Sequence, residues 1–418
     1  MDTGRPHAAL ISYCYYRSDP MIRRPAEALA AHGYAVTAIG PRQPGEPAVE
    51  WVRGVRVWRV GGPKYRGGSL LRYAAAYGAF FLHAAAAVAR LQRRHGLALV
   101  QAHSMPEALL LAGLLPHLQG VPLVYYAGEL TVELYAAKFG TRGGPLGLAA
   151  VRLQERLGLA LADLVVTIHD EFRRRLLARG LPPERVHVAL PLPDDRLFRP
   201  DLRPGEDAPR SPDAPFTLVH HGTLAPRYGA DVLVEAVALL RDRIPQLRLR
   251  IYGDGDLRPR LRELIARHAL ADRVELSPGY MPIEELPRLL AAADAGVVPN
   301  RADPFTETVL SNKLLEYLAL GLPTIVTRTP TQLAHVPPGV AEYCAPDDPA
   351  DLARSIHRLY ADPAYRASLA ANARAWSAAH RWRDAAAAYC ATIDALVARH
   401  GRVPPRPAVA ETRIGAAP

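Results

Sequence analysis

The stretch "SNKLLEYLALGLPTIV", Ser311 to Val326, places a lysine where a helix favours one least. Ser311 can cap a helix that carries Lys313, Glu316 and Tyr317 on one side, at offsets of three and four, with Leu314, Leu315 and Leu318 on another. A cation in the first turn opposes the helix dipole at a cost of about 0.3 to 1 kcal/mol. A surface pair between Lys313 and Glu316 would return only about 0.3 to 0.5 kcal/mol. An anion at the helix amino end reverses the sign, so these residue types point to recognition of a phosphate or carboxylate. The lysine is also rare, because of 51 basic residues only Lys64, Lys138 and Lys313 are lysines. An arginine would serve a mere surface pair equally well.

A second constellation is "HHGTLAPRYGADVLVEAV", an apolar strand that runs into Gly222 and Thr223 and then, past Arg227 and Gly229, into a helix beginning near Asp231. Gly222 permits close backbone approach, and the helix amino end again favours anions. A third, "IYGDGDLRPRLREL", offers Asp254 and Asp256, but no further ligand accompanies them. It reads as a strand-to-helix turn with Asp256 as N-cap, not as a metal site. Cys14, Cys344 and Cys390 lie far apart and form no metal spacing, which suits a reducing cytoplasm.

The elements that must position these residues follow an α/β pattern, with Val/Ile/Leu-rich strands alternating with longer Ala/Leu/Arg helices. In the first half the strand signals are "AALISYCYY", "AVTAIG", "VRVWRV", "LALVQAH", "VPLVYYA" and "DLVVTIH". Ser18 or Asp19 is placed to cap the first helix, with Pro20 at its first position. Residues 191–215 contain seven prolines and no usable period, which predicts an extended linker. The second half restarts with "FTLVHHG", "LRLRIYG", "RVELSPG", "AGVVPN" and "PTIVTR". The expected organisation is an N-terminal domain over 1–190, the linker, a second domain over 216–375, a C-terminal helix over 376–400 that packs back on the first domain, and a disordered tail over 401–418. Two doubly wound, Rossmann-like parallel-sheet domains facing each other across a cleft would place ligands outside the carboxyl ends of the strands.

The chain of 418 residues suits two such domains, and its formal charge of +10 suits an anionic partner or reflects arginine-rich helix faces. No basic run is interleaved with aromatics, which argues against nucleic acid. The N-terminus lacks the apolar core of a signal peptide. The apolar segment Leu70 to Arg90 carries Arg72 and His83 and reads as a buried crossover helix in place of a membrane span. A cytoplasmic protein is expected, with peripheral contact to an anionic membrane left open through Arg17, Arg23 and Arg24.

The second half resembles the nucleotide-sugar-binding domain of the retaining GT-B glycosyltransferases of the GT4 type, the group 1 glycosyltransferases. The motifs "HGTLAPRYGADVLVEAV", "LRLRIYGDGD", "RVELSPGYMPIEELPRLLAAADAGVVPN" and "NKLLEYLALGLPTIV" occur in the family's order. The first half is similar to that family in "DPMIRRPAEALAAHGYAVTAIG", "VQAHSMPEALL" and "ADLVVTIHDEFRRRLLARGLPPERVHVALPLPDDRLF". The resemblance implies the GT-B fold and transfer of a hexosyl unit from a nucleotide diphosphate sugar to a polysaccharide, lipid-linked or small-molecule acceptor, with no metal or other cofactor.

By position it implies that Glu316 holds the ribose hydroxyls and that Lys313, with Asn312 beside it, meets a phosphate. Gly222, Thr223 and Arg227 would face the diphosphate, and Tyr280 and Met281 the base. The loop Pro304 to Thr308, with Phe305 and Glu307, would lie along the sugar. Lys313, Arg227, His103 and Glu307 would be the catalytic residues, His103 pointing into the cleft near the acceptor, and Glu129 would serve the acceptor side. Apart from the resemblance, Arg17 and Arg24 stand beside the first strand, where they could meet an acceptor phosphate. The family's paired glutamate falls on Thr308, with Glu307 one place off. Its Arg and Lys of the first donor turn fall on Thr223 and Tyr228, and its usual histidine on Gly128. These departures keep open the alternative of a weak or inactive nucleotide-sugar-binding protein.

Overall fold

The computed structural model describes residues 4–65, 70–104, 107–139, 144–203, 214–403 and 405. The chain forms two compact units: Met1–Leu190 with Ala386–Pro418, and Pro191–Ala385. In unit 1 the order is β1 (His7–Ile11), α1 (Pro20–His32), β2 (Ala35–Pro41), β3 (Val49–Val52), β4 (Val55–Val60), α2 (Leu70–His95), β5 (Leu97–His103), α3 (Leu114–Leu118), β6 (Leu123–Ala127), α4 (Thr131–Phe139), α5 (Gly144–Leu161), β7 (Leu164–Thr167), α6 (Asp170–Ala178) and β8 (Val186–Val188). Its sheet runs β3-β4-β2-β1-β5-β6-β7-β8, parallel except for the β3–β4 hairpin at one edge. Every residue of β5, β6 and β7 is buried, as parallel strands covered by helices require.

Helix α1 shows how locally these elements are specified. The Asp19 side chain accepts from the Met21 N–H at 2.8 Å, Pro20 occupies the first turn, and Gly33 closes the helix with a left-handed backbone. Helix α2 departs from the buried crossover that its composition suggests. Phe80, Ala84, Ala87, Val88 and Leu91 join the core, whereas Leu82, His83 and much of its alanine surface face outward. By length and composition it is the one helix among the described residues apolar enough to cross a membrane, with 28% of its most apolar window buried.

Unit 2 contains β9 (Phe216–Thr223), α7 (Ala230–Leu239), β10 (Leu247–Asp254), α8 (Arg258–Arg267), β11 (Val274–Leu276), α9 (Leu286–Ala291), β12 (Ala295–Val298), α10 (Asn312–Ala319), β13 (Thr324–Thr327), α11 (Pro330–His335), β14 (Glu342–Cys344), α12 (Pro349–Ala361), α13 (Pro363–Ala379) and α14 (Trp382–Arg399). Its sheet order, β11-β10-β9-β12-β13-β14, is the 3-2-1-4-5-6 order of a Rossmann sheet, parallel throughout. Strand order reverses between β9 and β12, so the crevice for a ligand opens beyond Thr223 and Val298.

The proline-rich segment is not an extended linker over its described part. Phe198 is buried in unit 2 with Leu197 and Leu202 packed beside it, because these three apolar side chains outweigh the stiffness of the intervening prolines. Asp195 there accepts from the Trp382 and Arg383 N–H groups, at 3.2 and 3.0 Å, and so caps α14. Residues 204–213 of that segment and 406–418 of the expected tail lie outside the described residues. Helix α14 begins in unit 2 and, from Ala386, belongs to unit 1. Its Tyr389, Cys390, Ile393, Leu396 and Val397 enter the core of unit 1.

Candidate functional site

Of the residues expected to act in the second half, Gly222, Arg227, Phe305, Lys313 and Glu316 are brought together at the β9–β12 crevice of unit 2. The last residue but one of strand β9 is Gly222, whose φ of 104° lies in the left-handed region and whose missing side chain leaves room for Lys313. A β-carbon on Gly222 would lie 3.5 Å from Lys313 Cε. The chain then makes a 3-10 turn, Pro226–Tyr228, and enters α7 at Gly229. Gly229 also has positive φ, and any β-carbon there would collide with the Pro299 carbonyl at the end of β12. Only glycine lets this turn approach that strand so closely.

Two helix amino ends open near these residues, and neither carries a side-chain cap. Gly229 precedes α7 without one, and Ser311, expected to cap α10, makes no capping hydrogen bond. Their first N–H groups are therefore available to an anion. Lys313 lies half-buried, its Nζ 4.2 Å from the centroid of the Tyr228 ring. Burial pushes its ammonium down to about 8, against the opposing pull of Glu316. Arg227 spreads its guanidinium 5.0 Å from the centre of the buried Phe305 ring. Oδ1 of Asn300, a residue 1% exposed just past β12, and Oδ1 of Asn312 are both buried without a hydrogen-bond partner.

Glu316 reaches across to strand β9. Its Oε2 lies 2.8 Å from His221 Nε2, and the two side chains are 7% and 5% exposed. The loop after β12 is held by its own side chains: Asp303 Oδ1 accepts from the Phe305 and Thr306 N–H groups, and Thr308 Oγ1 donates to the Phe305 carbonyl at 2.8 Å. Thr308 is thus buried, while the Glu307 side chain is exposed and its carbonyl accepts from Thr331. Thr223 and Tyr280 are exposed, and Met281 is partly buried against the core of unit 2.

Arg301 belongs to this site although it lies outside every quoted motif, and His221, Tyr228 and Asn300, which lie within those motifs, join it without having been assigned a role there. Arg301 bonds to Asp231 Oδ2 at 2.6 Å, to Asp347 Oδ1 at 2.5 Å and to the Pro226 carbonyl at 3.2 Å. Its own N–H reaches the Arg227 carbonyl at 2.9 Å, so it fastens the loop to the Pro226–Tyr228 turn. Its position directly after "AGVVPN", at the end of an expected strand, was the available signal. Asp256, expected to cap α8, is exposed, and Leu257 occupies the cap position without a side-chain bond. Among the described residues no group of three or more His, Cys, Asp or Glu side chains is placed to hold a metal.

The unit 1 residues have different surroundings from those expected. His103 is enclosed at the end of β5, 3% exposed and stacked on Tyr126 at 4.8 Å. Burial pushes it down to about 3, so it is neutral. Tyr389 donates to Gln101 Oε1 at 2.7 Å, which turns the Gln101 amide NH2 toward His103 Nε2 at 2.9 Å and assigns the ring proton to Nδ1. Arg17, expected to meet an acceptor, is held by Glu50 in a two-pronged pair at 3.1 and 3.0 Å. Arg24 is buried within α1. The Glu129 N–H, like that of Gly128, is held by Ser104 Oγ at 3.1 Å.

A Rossmann sheet with cations and uncapped helix ends at its switch point is an arrangement suited to an anionic ligand. The family described as "Glycosyl transferases group 1" matches residues 215–362, and "Glycosyl transferase 4-like domain" matches 19–191. The D-inositol 3-phosphate glycosyltransferase of Thermobispora bispora is 31% identical over 303 residues, 68% of each chain. This chain belongs to the group 1 glycosyltransferases, with the GT-B fold. The putative colanic acid biosynthesis glycosyltransferase WcaL of Escherichia coli is 32% identical over 167 residues, which span 40% of this chain and only 39% of that relative. The solved structure of Anabaena HepE in complex with UDP-glucose superposes with a TM-score of 0.68 at 16% identity, covering 93% of this chain and 99% of that one.

Proposed function

We propose that this chain moves a hexosyl unit from a nucleotide diphosphate sugar to a polysaccharide, lipid-linked or small-molecule acceptor, with retention and without a metal, in the cytoplasm. The observation that carries the reading is Lys313, a cation held against the Gly222 turn at the amino end of α10 and shifted toward neutrality by burial. Such a group gains most when a diphosphate arrives. The HepE structure, which contains UDP-glucose, supports a nucleotide sugar as the ligand class.

Breaking the sugar–phosphate bond leaves negative charge on the diphosphate, and Lys313, Arg227 and the amino ends of α7 and α10 stabilise it without moving. The acceptor oxygen bonds to the anomeric carbon on the face the phosphate leaves, and its proton passes to the departing phosphate oxygen. No protein carboxylate is needed as base. Glu316 and Asn312 serve the nucleotide, Tyr280 and Met281 its base, and the Phe305–Thr308 loop the sugar. Glu129 keeps its acceptor-side assignment, while the enclosed His103 supports that side from beneath.

The test is release of nucleoside diphosphate from a panel of nucleotide sugars and acceptors. Lys313→Ala should lower turnover about a hundredfold, or about 2.7 kcal/mol of lost charge stabilisation. Turnover within twofold of wild type would remove Lys313 from the mechanism. The buried Thr308, in place of an acidic side chain, favours one other reading, a binding protein without transfer. Tight nucleotide binding with no release from any donor would select it.

A further inference from the structure

The doubled histidine before Gly222 divides into two environments, because successive side chains of a strand point to opposite faces. His220 is buried with Nδ1 2.9 Å from the Val297 carbonyl. His221 turns toward α10, with Nε2 2.8 Å from Glu316 Oε2 and Nδ1 2.9 Å from the Tyr317 hydroxyl. An ionised carboxylate only accepts, so Nε2 carries a proton and donates to Glu316. In the neutral ring Nδ1 accepts from Tyr317. In the charged ring Nδ1 donates, and the hydroxyl donates instead to the Val219 carbonyl at 3.3 Å. Both protonation states therefore leave the same bond on Glu316.

Tyr317 is fully buried and fixed from β9, so the ring of His221 has a rigid support on one side. Glu316 gains from this what a glutamate otherwise lacks: one rotamer selected before a ligand arrives. We propose that His221 is a positioning residue, which holds the Glu316 carboxylate in the orientation that accepts the ribose hydroxyls of the donor nucleotide. The inference rests on the nucleotide-sugar reading above and adds that ribose recognition belongs to a β9–α10 pair, not to Glu316 alone.

Calorimetry of the full chain tests it with UDP and 2′,3′-dideoxy-UDP as probes, or with the GDP or ADP pair if wild type binds that nucleotide better. Wild type should prefer the ribose form by about tenfold. In His221→Ala the preference should fall below about threefold, with affinity for the dideoxy form unchanged within about twofold. His221→Gln, whose amide nitrogen reaches toward Glu316, should keep the preference, and Glu316→Gln should lose it with or without His221→Ala. Should His221→Ala not fold, His221→Asn, which keeps the Tyr317 side of the relay but stops short of Glu316, replaces it with the same expectation. A full preference retained in these variants, or an equal loss for both nucleotide forms, overturns the proposal while leaving the proposed function intact. Failure of wild type to bind any of the three nucleotides overturns both.

Discussion

Raising the pH should weaken nucleotide binding through Lys313 alone. In the free protein its ammonium is pushed from 10.5 down to about 8 by burial, whereas a diphosphate beside it would restore much of the difference. Above pH 8 the phosphates are fully ionised, so binding must then draw a proton onto Lys313. At pH 9 the free lysine is about one-tenth charged, and binding should take up close to one proton per site. The dissociation constant should rise by about tenfold per pH unit from 8 until the bound-state pKa is reached. Titration calorimetry at pH 9 in two buffers of different ionisation enthalpy counts that proton directly. The same shift has a stability consequence. Because the unfolded chain holds this proton more tightly, folded stability should rise with pH between about 8 and 10.5, by up to about 3 kcal/mol. Lys313→Met should remove the proton uptake and stabilise the free protein at pH 7. A dissociation constant unchanged within twofold between pH 7.5 and 9.5, with no proton uptake, would refute the reasoning.

Two further outcomes follow from other residues. Arg301→Ala strips Asp231 and Asp347 of their shared partner and should cost about 1 to 3 kcal/mol in urea unfolding. It should also raise KM for the donor more than it lowers kcat, since it frees the turn that carries Arg227; an unchanged midpoint and KM would show that the strut is dispensable. In unit 1 the buried Glu155 is raised to about 7 by desolvation, with Glu107 and Glu133 adding to the effect against Arg179. Its folded form binds the proton more tightly, so stability should fall as pH rises from about 4.5 through 7, by up to about 3 kcal/mol. Glu155→Gln should flatten that part of a pH–melting curve, and an unaltered slope would count against the assignment.

Much of the architecture was legible because local chemistry dictates it. Asp19 and Pro20 favour a helix start by short-range capping alone, and the long apolar strands of each half are visible as runs. The strands without a sequence signal, β3, β8 and β14, are three or four residues long and exist only through pairing at a sheet edge. The proline count of 191–215 concealed Phe198, whose burial depends on a partner core far along the chain. Helix α2 is less buried than its composition suggests, because alanine content does not say which face is covered. In the site, Lys313 and the Gly222 turn could be proposed from residue type. The bond between Glu316 and His221 could not, since it joins residues 95 positions apart, and spacing in one sequence carries no signal at that range.

Helix α14 gives the chain an order of completion. Tyr34 and His32, near the start, both bond to Asp394 at 2.7 Å, and Gln101 is held by Tyr389. During synthesis the first unit emerges long before these partners exist, and its core stays open on the face that Ile393, Leu396 and Val397 will cover. Unit 2, whose residues all precede Ala386, can close first. The half made first is therefore finished last, and a ribosome stalled before Ala386 would release a chain whose amino-terminal core exposes apolar surface to whatever chaperone or neighbour meets it.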